Sequence, residues 1–256
     1  MQAIFQYDLN RLNAYSVIPS NRIAIRKAPD LISFCFPGVG YFNYTVQLNG
    51  QPLSGEKITE LNRFYKSKCV DRYKLIIPDY ATESVELLSS LPDYKLKAVM
   101  AKTALTITMQ DLSPFTGDME FIPVDNSLID QFTDLYLKGF GAVNRNTNEV
   151  SQNFCRLFSI DNLELFLLKH KNVFVGVNVL YYAEDETVLA GGAVLPEYRN
   201  MGFHQNSLQF RIRQALGRAP GQKIVGWAYK PGISLHNMLK QGMNIEGEFF
   251  VYEYCR

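Results

Sequence analysis

The chain has 256 residues, 47% of them hydrophobic and 13% aromatic, with a formal net charge of +1. That composition supports a sizeable buried core, and the balanced charge argues against a nucleic-acid-binding surface. The longest uncharged apolar run, Asn172 to Ala183, is too short for a membrane span, and Asp8 and Arg11 interrupt any signal-peptide pattern, so the expectation is a cytoplasmic protein with no membrane partner.

In chain order, Ile58, Leu61 and Tyr65 have helical spacing, Lys74–Tyr80 reads as a strand, and Val85, Leu88 and Leu91 are again helical. Ser127-Leu-Ile-Asp130 predicts a capping box opening a helix whose buried face is Leu128, Phe132, Leu135 and Tyr136. A shorter helix is predicted from Glu149 to Phe158. Three strands are predicted at Leu163–Lys169, Val173–Tyr182 and Val188–Val194, with Glu184-Asp185-Glu186 turning between the last two. The third passes Pro196 and an Arg199-Asn200-Met201-Gly202 turn, then becomes the helix begun by Phe203 and His204. Its apolar stripe is Leu208, Ile212, Ala215 and Leu216, with Gln209, Arg211, Arg213 and Arg218 facing elsewhere, and Gly217, Pro220 and Gly221 end it. A strand at Lys223–Tyr229, a helix at Ser234–Gln241 and a strand at Ile245–Tyr254 complete the chain.

The strand-to-helix turn is the main chemical signal. Amides at a helix start lack intrahelical partners and sit at the positive end of the helix dipole, so the turn suits a phosphate or pyrophosphate, with Gly202 giving conformational freedom and close approach. Between Glu197 and Lys223 five basic residues, Arg199, Arg211, Arg213, Arg218 and Lys223, face Glu197 alone, a balance that as a group would favour phosphates. A constant offset of 149, from Lys74 to Lys223, also pairs Tyr80 with Tyr229, Tyr94 with Met243 and Leu96 with Ile245, which suggests an internal repeat.

Val194-x-Pro196-x-x-Arg199-x-x-Gly202, followed by Ser207-Leu208, resembles the acyl-CoA-binding segment of the GNAT superfamily of N-acyltransferases. His204 stands where that pattern has a small residue. Ser234, Asn237 and Gly242 resemble the second cofactor-contacting segment, with Met243 replacing an aromatic residue. The resemblance covers roughly residues 118–256. It implies an α/β (α+β) fold with a mixed, mostly antiparallel central sheet flanked by helices. Residues 1–117 would form a degenerate GNAT-like half without a cofactor, packed against a cofactor-binding domain at 118–256.

The resemblance further implies that acetyl-CoA or another acyl-CoA is the donor. Its contacts would come from Val194, Leu195, Arg199, Asn200, Met201, Gly202, Phe203, His204, Ser234 and Asn237. A backbone N–H near Val194 and Leu195 would polarise the thioester carbonyl, and splayed strands would admit the pantetheine arm. The family's thiolate-protonating tyrosine position is Met238, which cannot donate, so Tyr229 or Tyr252 is the substitute. Glu186 or Glu184 would act as base through a water, and His236 would line the site.

Cys35, Cys69, Cys155 and Cys255 are widely spaced, which predicts buried thiols and no metal site. The expected function is direct acyl transfer to a primary amine on a small molecule or peptide, by a monomer or homodimer. Tyr41, Phe42, Tyr44, Phe140, Tyr181 and Tyr182 are candidate pocket aromatics. A non-catalytic CoA-binding regulator is the alternative, and an aminoacyl-tRNA-dependent transferase is weakened by the missing basic surface.

Overall fold

The computed structural model describes residues 2–18, 22–107, 109, 118–142, 146–160 and 162–255. The amino-terminal half runs α1 (Ala3–Ser16), β1 (Ala24–Lys27), β2 (Leu31–Cys35), β3 (Tyr44–Gln47), α2 (Gly55–Lys66), β4 (Arg72–Pro78), α3 (Thr82–Ser90) and β5 (Tyr94–Leu105). The second half runs β6 (Glu120–Pro123), α4 (Ile129–Gly139), α5 (Thr147–Phe158), β7 (Leu163–His170), β8 (Val173–Tyr182), β9 (Glu186–Val194), α6 (Phe203–Arg218), β10 (Lys223–Lys230), α7 (Ile233–Lys240) and β11 (Asn244–Cys255).

Among the described residues the eleven strands form one sheet in the order β1-β2-β3-β4-β11-β5-β10-β9-β8-β7-β6. Its pairs are antiparallel except β3 with β4 and β9 with β10, as expected of a mixed, mostly antiparallel sheet. The order is nearly symmetric about its centre. Each half contributes a parallel strand pair bridged by a helix (β3-α2-β4 and β9-α6-β10), then a short helix and a 12-residue strand. The two long strands are exchanged: β5 lies beside β10, and β11 lies beside β4. Each half thereby satisfies the backbone edge of the other. The sheet is continuous between the halves, and the expected division after residue 117 falls outside the described residues.

Helices α4 and α5 cover one face of the second half. Phe132 and Phe154 meet there edge to face, with ring centroids 5.0 Å apart. Helices α6 and α7 cover the opposite face through Leu208, Ile212, Leu235 and Met238. Helix α1 spans both halves: Ala3, Tyr7 and Ala14 join the α4–α5 core, while Phe5, Leu9 and Leu12 pack on β2, β3 and β4.

Local expectations hold for most elements, with three corrections. The predicted capping box at α4 does not form: Ser127 Oγ donates instead to Asp125, and Asp130 accepts from Ser151 on α5. Only Cys35 is a buried thiol; Cys69 and Cys155 are exposed and Cys255 half-buried, because α2 ends just before Cys69 and Cys155 lies on the outer face of α5. Arg211, predicted to face away from the core, is buried beneath β9. Among the described residues no cluster of His, Cys, Asp or Glu could hold a metal, and no helix is long and apolar enough to cross a membrane.

Candidate functional site

Strands β9 and β10 pair only at Glu186–Val188 against Lys223–Val225 and then separate. Each stays anchored on its far side, β9 to β8 through Val194 and β10 to β5 through Lys230. The result is a V-shaped gap whose inner edges carry unpaired backbone groups, the geometry that an extended ligand pairs with as a strand would. Leu195 donates its N–H to the Val175 carbonyl at 2.9 Å, so the alternation of an antiparallel ladder turns the Val194 N–H toward the gap. Of the two residues expected to supply that amide, Leu195 is therefore corrected out.

A cleft of about 560 Å³ opens at the wide end of the gap. Asn200 (φ 64°) and Gly202 (φ 78°) take left-handed conformations and reverse the chain into α6. Gln205 and Asn206 both donate to the Gly202 carbonyl, while the first-turn amides of Phe203 and His204 precede any intrahelical acceptor. A Cβ on Gly202 would meet nothing within 4 Å, so the space above the turn is open.

The cleft brings together Val194, Arg199, Asn200, Gly202, Phe203 and His204 from the turn, and Ser234, His236 and Asn237 from α7. Met201 points into solvent, 55% exposed. Arg199 braces the turn, its Nε donating to the Val194 carbonyl (3.3 Å) and Nη2 to the Gly139 carbonyl at the end of α4 (3.0 Å). The expected pocket aromatic Phe140 lines the cleft, as do Lys240 and Gln205, which were not foreseen; Lys240 follows Asn237 by one turn of α7, a spacing that offered a signal.

Asn237 Nδ2 donates to His204 Nδ1 at 2.9 Å, which assigns the remaining ring proton of neutral His204 to Nε2. Burial, reinforced by the charge of Arg211, pushes the imidazole down from 6.5 to about 4. A histidine kept neutral by folding stabilises the protein fully above its unfolded pKa and progressively less as pH falls toward the folded value. His204 therefore accounts for about 2 kcal/mol lost between pH 7 and pH 5. Urea denaturation at the two pH values should show that difference in wild type and much less of it in His204→Gln.

Two of the five basic residues expected to favour phosphates are held in ion pairs. Arg218 bonds Glu164 at 2.8 Å and lies over the Tyr182 ring, and Lys223 bonds Glu246 at 2.7 Å. Glu186 stands at the closed end of the gap, where Lys102 Nζ is 2.5 Å from its carboxylate. It is about 26 Å of strand away from Val194 and is corrected out as a base there. Glu184 lines a separate hollow beside Gln2 and Gln47. Tyr252 belongs to the core of the other half, its hydroxyl 2.8 Å from Ser89 Oγ. Met238 packs into the core against Gly226 and accepts from Thr103 Oγ1 at 3.4 Å.

Tyr229 lies on the open half of β10, half-exposed, its phenol held above the usual range by burial and by the charge of Asp8. A second cavity of about 580 Å³ flanks β9 and shares Phe140 with the cleft. Arg11, Tyr41, Phe42, Tyr136 and Ala190 are among its walls. Two of the expected pocket aromatics, Tyr181 and Tyr182, are instead tied to Asn10 and Glu164. Behind the wall, Asp8 is buried with Arg11 Nη1 at 3.2 Å and the hydroxyls of Tyr44 and Tyr41 at 2.7 and 3.3 Å. The guanidinium of Arg11 is also surrounded by the rings of Tyr7, Tyr41 and Phe42.

No protein-family model and no curated protein matches the sequence. Solved structures do. A GCN5-related N-acetyltransferase from Kribbella flavida superposes with a TM-score of 0.61 at 12% identity, over 96% of this chain and 94% of that one. A tandem GNAT protein from the clavulanic acid biosynthesis pathway gives 0.61 at 9% identity, over 98% and 94%. This chain has the GNAT fold. A further GCN5-related N-acetyltransferase, from Sphaerobacter thermophilus, gives 0.65 at 10% identity over 88% and 80%. In the GNAT fold of this chain, the β9–β10 gap and the turn into α6 lie in the second half of the sheet, one strand beyond the central β5.

Proposed function

We propose that this chain is an acyl-CoA-dependent N-acyltransferase of the GNAT superfamily, moving an acetyl or other short acyl group directly to a primary amine. The observation that carries the reading is the gap between β9 and β10 leading to the open amides of the Gly202 turn. In this reading the amides of Phe203 and His204 hold the pyrophosphate, the strand edges hold the pantetheine arm, and Val194 N–H faces the thioester oxygen. Residues 118–256 provide the donor site and residues 1–117, as a degenerate GNAT-like half, wall the acceptor cavity.

The reaction forms a C–N bond and breaks a C–S bond; the amine loses a proton and the departing sulfur gains one. Tyr229 is the proton donor in this reading, since it lies on the open half of β10 and a phenol is protonated at neutral pH. The amine enters by the aromatic cavity beside Ala190, on the α1 side of β9. Calorimetry with acetyl-CoA, followed by turnover on a panel of small-molecule and peptide amines, tests the reading. Tyr229→Phe is expected to lower kcat roughly 10²-fold with little change in KM. Binding without turnover on any amine would favour the non-catalytic alternative, which the core position of Met238 supports.

A further inference from the structure

Helix α6 carries a cation that the fold buries without an acid. Arg211 is 2% exposed and, among the described residues, enters no ion pair. Its Nη1 donates to the Gly191 carbonyl at 3.1 Å, and its Nε has no partner. Burial alone acts on its pKa, pushing it down to about 10. Arg11, also buried, has Asp8 beside it and three aromatic rings around it. An unpaired buried cation is costly, so a position that keeps one has a counter-charge to meet.

Its placement says which charge. Arg211 follows Phe203 by eight residues, about 12 Å along the helix from the amides that suit a phosphate. The guanidinium lies against Gly192, where a Cβ would fall 2.5 Å from Nη2 and 2.7 Å from Cζ. Gly192 lines the cleft and belongs to the stretch of β9 that has left β10. The bare Cα of Gly192 lets the guanidinium pack against the stretch of β9 that borders the gap, and its charge also reaches His204.

We propose that Arg211 binds a carboxylate at the far end of the donor's acyl group, so that the preferred donor is a coenzyme A thioester of a dicarboxylic acid. The inference rests on the donor site proposed above. A planar fork of N–H donors matches a carboxylate in two parallel bonds, which an acetyl methyl cannot use. Transfer is otherwise unchanged: the thioester C–S bond breaks, the C–N bond forms, and the distal carboxylate travels with the acyl group as an inert anchor.

Isothermal titration of the full chain with coenzyme A, acetyl-CoA and succinyl-CoA tests this. Succinyl-CoA should bind about tenfold or more tightly than acetyl-CoA, and the preference should shrink below about threefold in Arg211→Met. Equal affinity for the two thioesters in wild type, or a preference that survives in Arg211→Met, overturns the role of Arg211 and leaves the donor site standing. Failure of all three ligands to bind removes the donor site and this proposal with it. The wild-type comparison decides the question even if the variant does not fold.

Discussion

Gly202→Glu should abolish binding of coenzyme A thioesters while leaving the fold in place. At φ 78° the position is left-handed, so any side chain costs about 1–2 kcal/mol of local strain, well within what a folded domain tolerates. The Cβ itself meets no neighbour, and the carboxylate would extend into the cleft over the first amides of α6. There it occupies the anion position and repels phosphate, a like-charge juxtaposition worth several kcal/mol, which corresponds to a loss of roughly a hundredfold or more. Gly202→Ala, carrying the strain without the charge, should lose far less. Calorimetry beside a thermal melt separates the two effects. Unchanged affinity in the glutamate variant would mean that the turn holds no phosphate.

Asp8→Ala should be the most destabilising single change to the charged residues. The carboxylate is buried, accepts from Arg11, Tyr44 and Tyr41, and its pKa is raised by burial against the lowering effect of those partners. Removing it leaves a buried guanidinium without its acid and two hydroxyls without their acceptor, costing about 3–5 kcal/mol. For a chain of this size that is a fall in Tm on the order of 10 °C. The double variant Asp8→Ala with Arg11→Met should recover part of the loss, because it removes the orphaned charge too. A loss below about 1 kcal/mol in the single variant would show that water reaches Arg11 freely.

Local signals were legible where the cause is local. Apolar periodicity gave α2, α3 and α4. Pro196, Gly202 and the stripe Leu208, Ile212, Ala215 and Leu216 gave the β9–α6 turn, because a left-handed glycine and a helix start are properties of a few consecutive residues. The offset of 149 reproduces the helix-strand-helix-strand order from α2 to β5 in α6 to β11. Helix α1 escaped notice because it is buried on several sides: Asp8 and Arg11 sit among Tyr7, Leu9, Leu12 and Tyr15, so no polar face alternates with an apolar one.

The remaining decisions belong to tertiary structure. Nothing within β5 or β11 says that they exchange partners, since a ladder is defined by the strand it meets and not by its own residues. The same holds for charge. Glu186 reads from sequence as a turn acid beside the site, yet Lys102 on β5, 84 residues away in sequence, claims it. Arg211 reads as a solvent-facing helix residue, yet the missing side chain of Gly192 leaves room to bury it and the Gly191 carbonyl accepts from it. The sequence by itself determined the secondary structure around the Gly202 turn and the unpartnered amides at the start of α6, because φ preference, capping and periodicity act over a few residues. Which charges are buried, which are paired and which face the gap was decided only by packing, because burial and Coulomb energy depend on neighbours that the chain brings together from far apart.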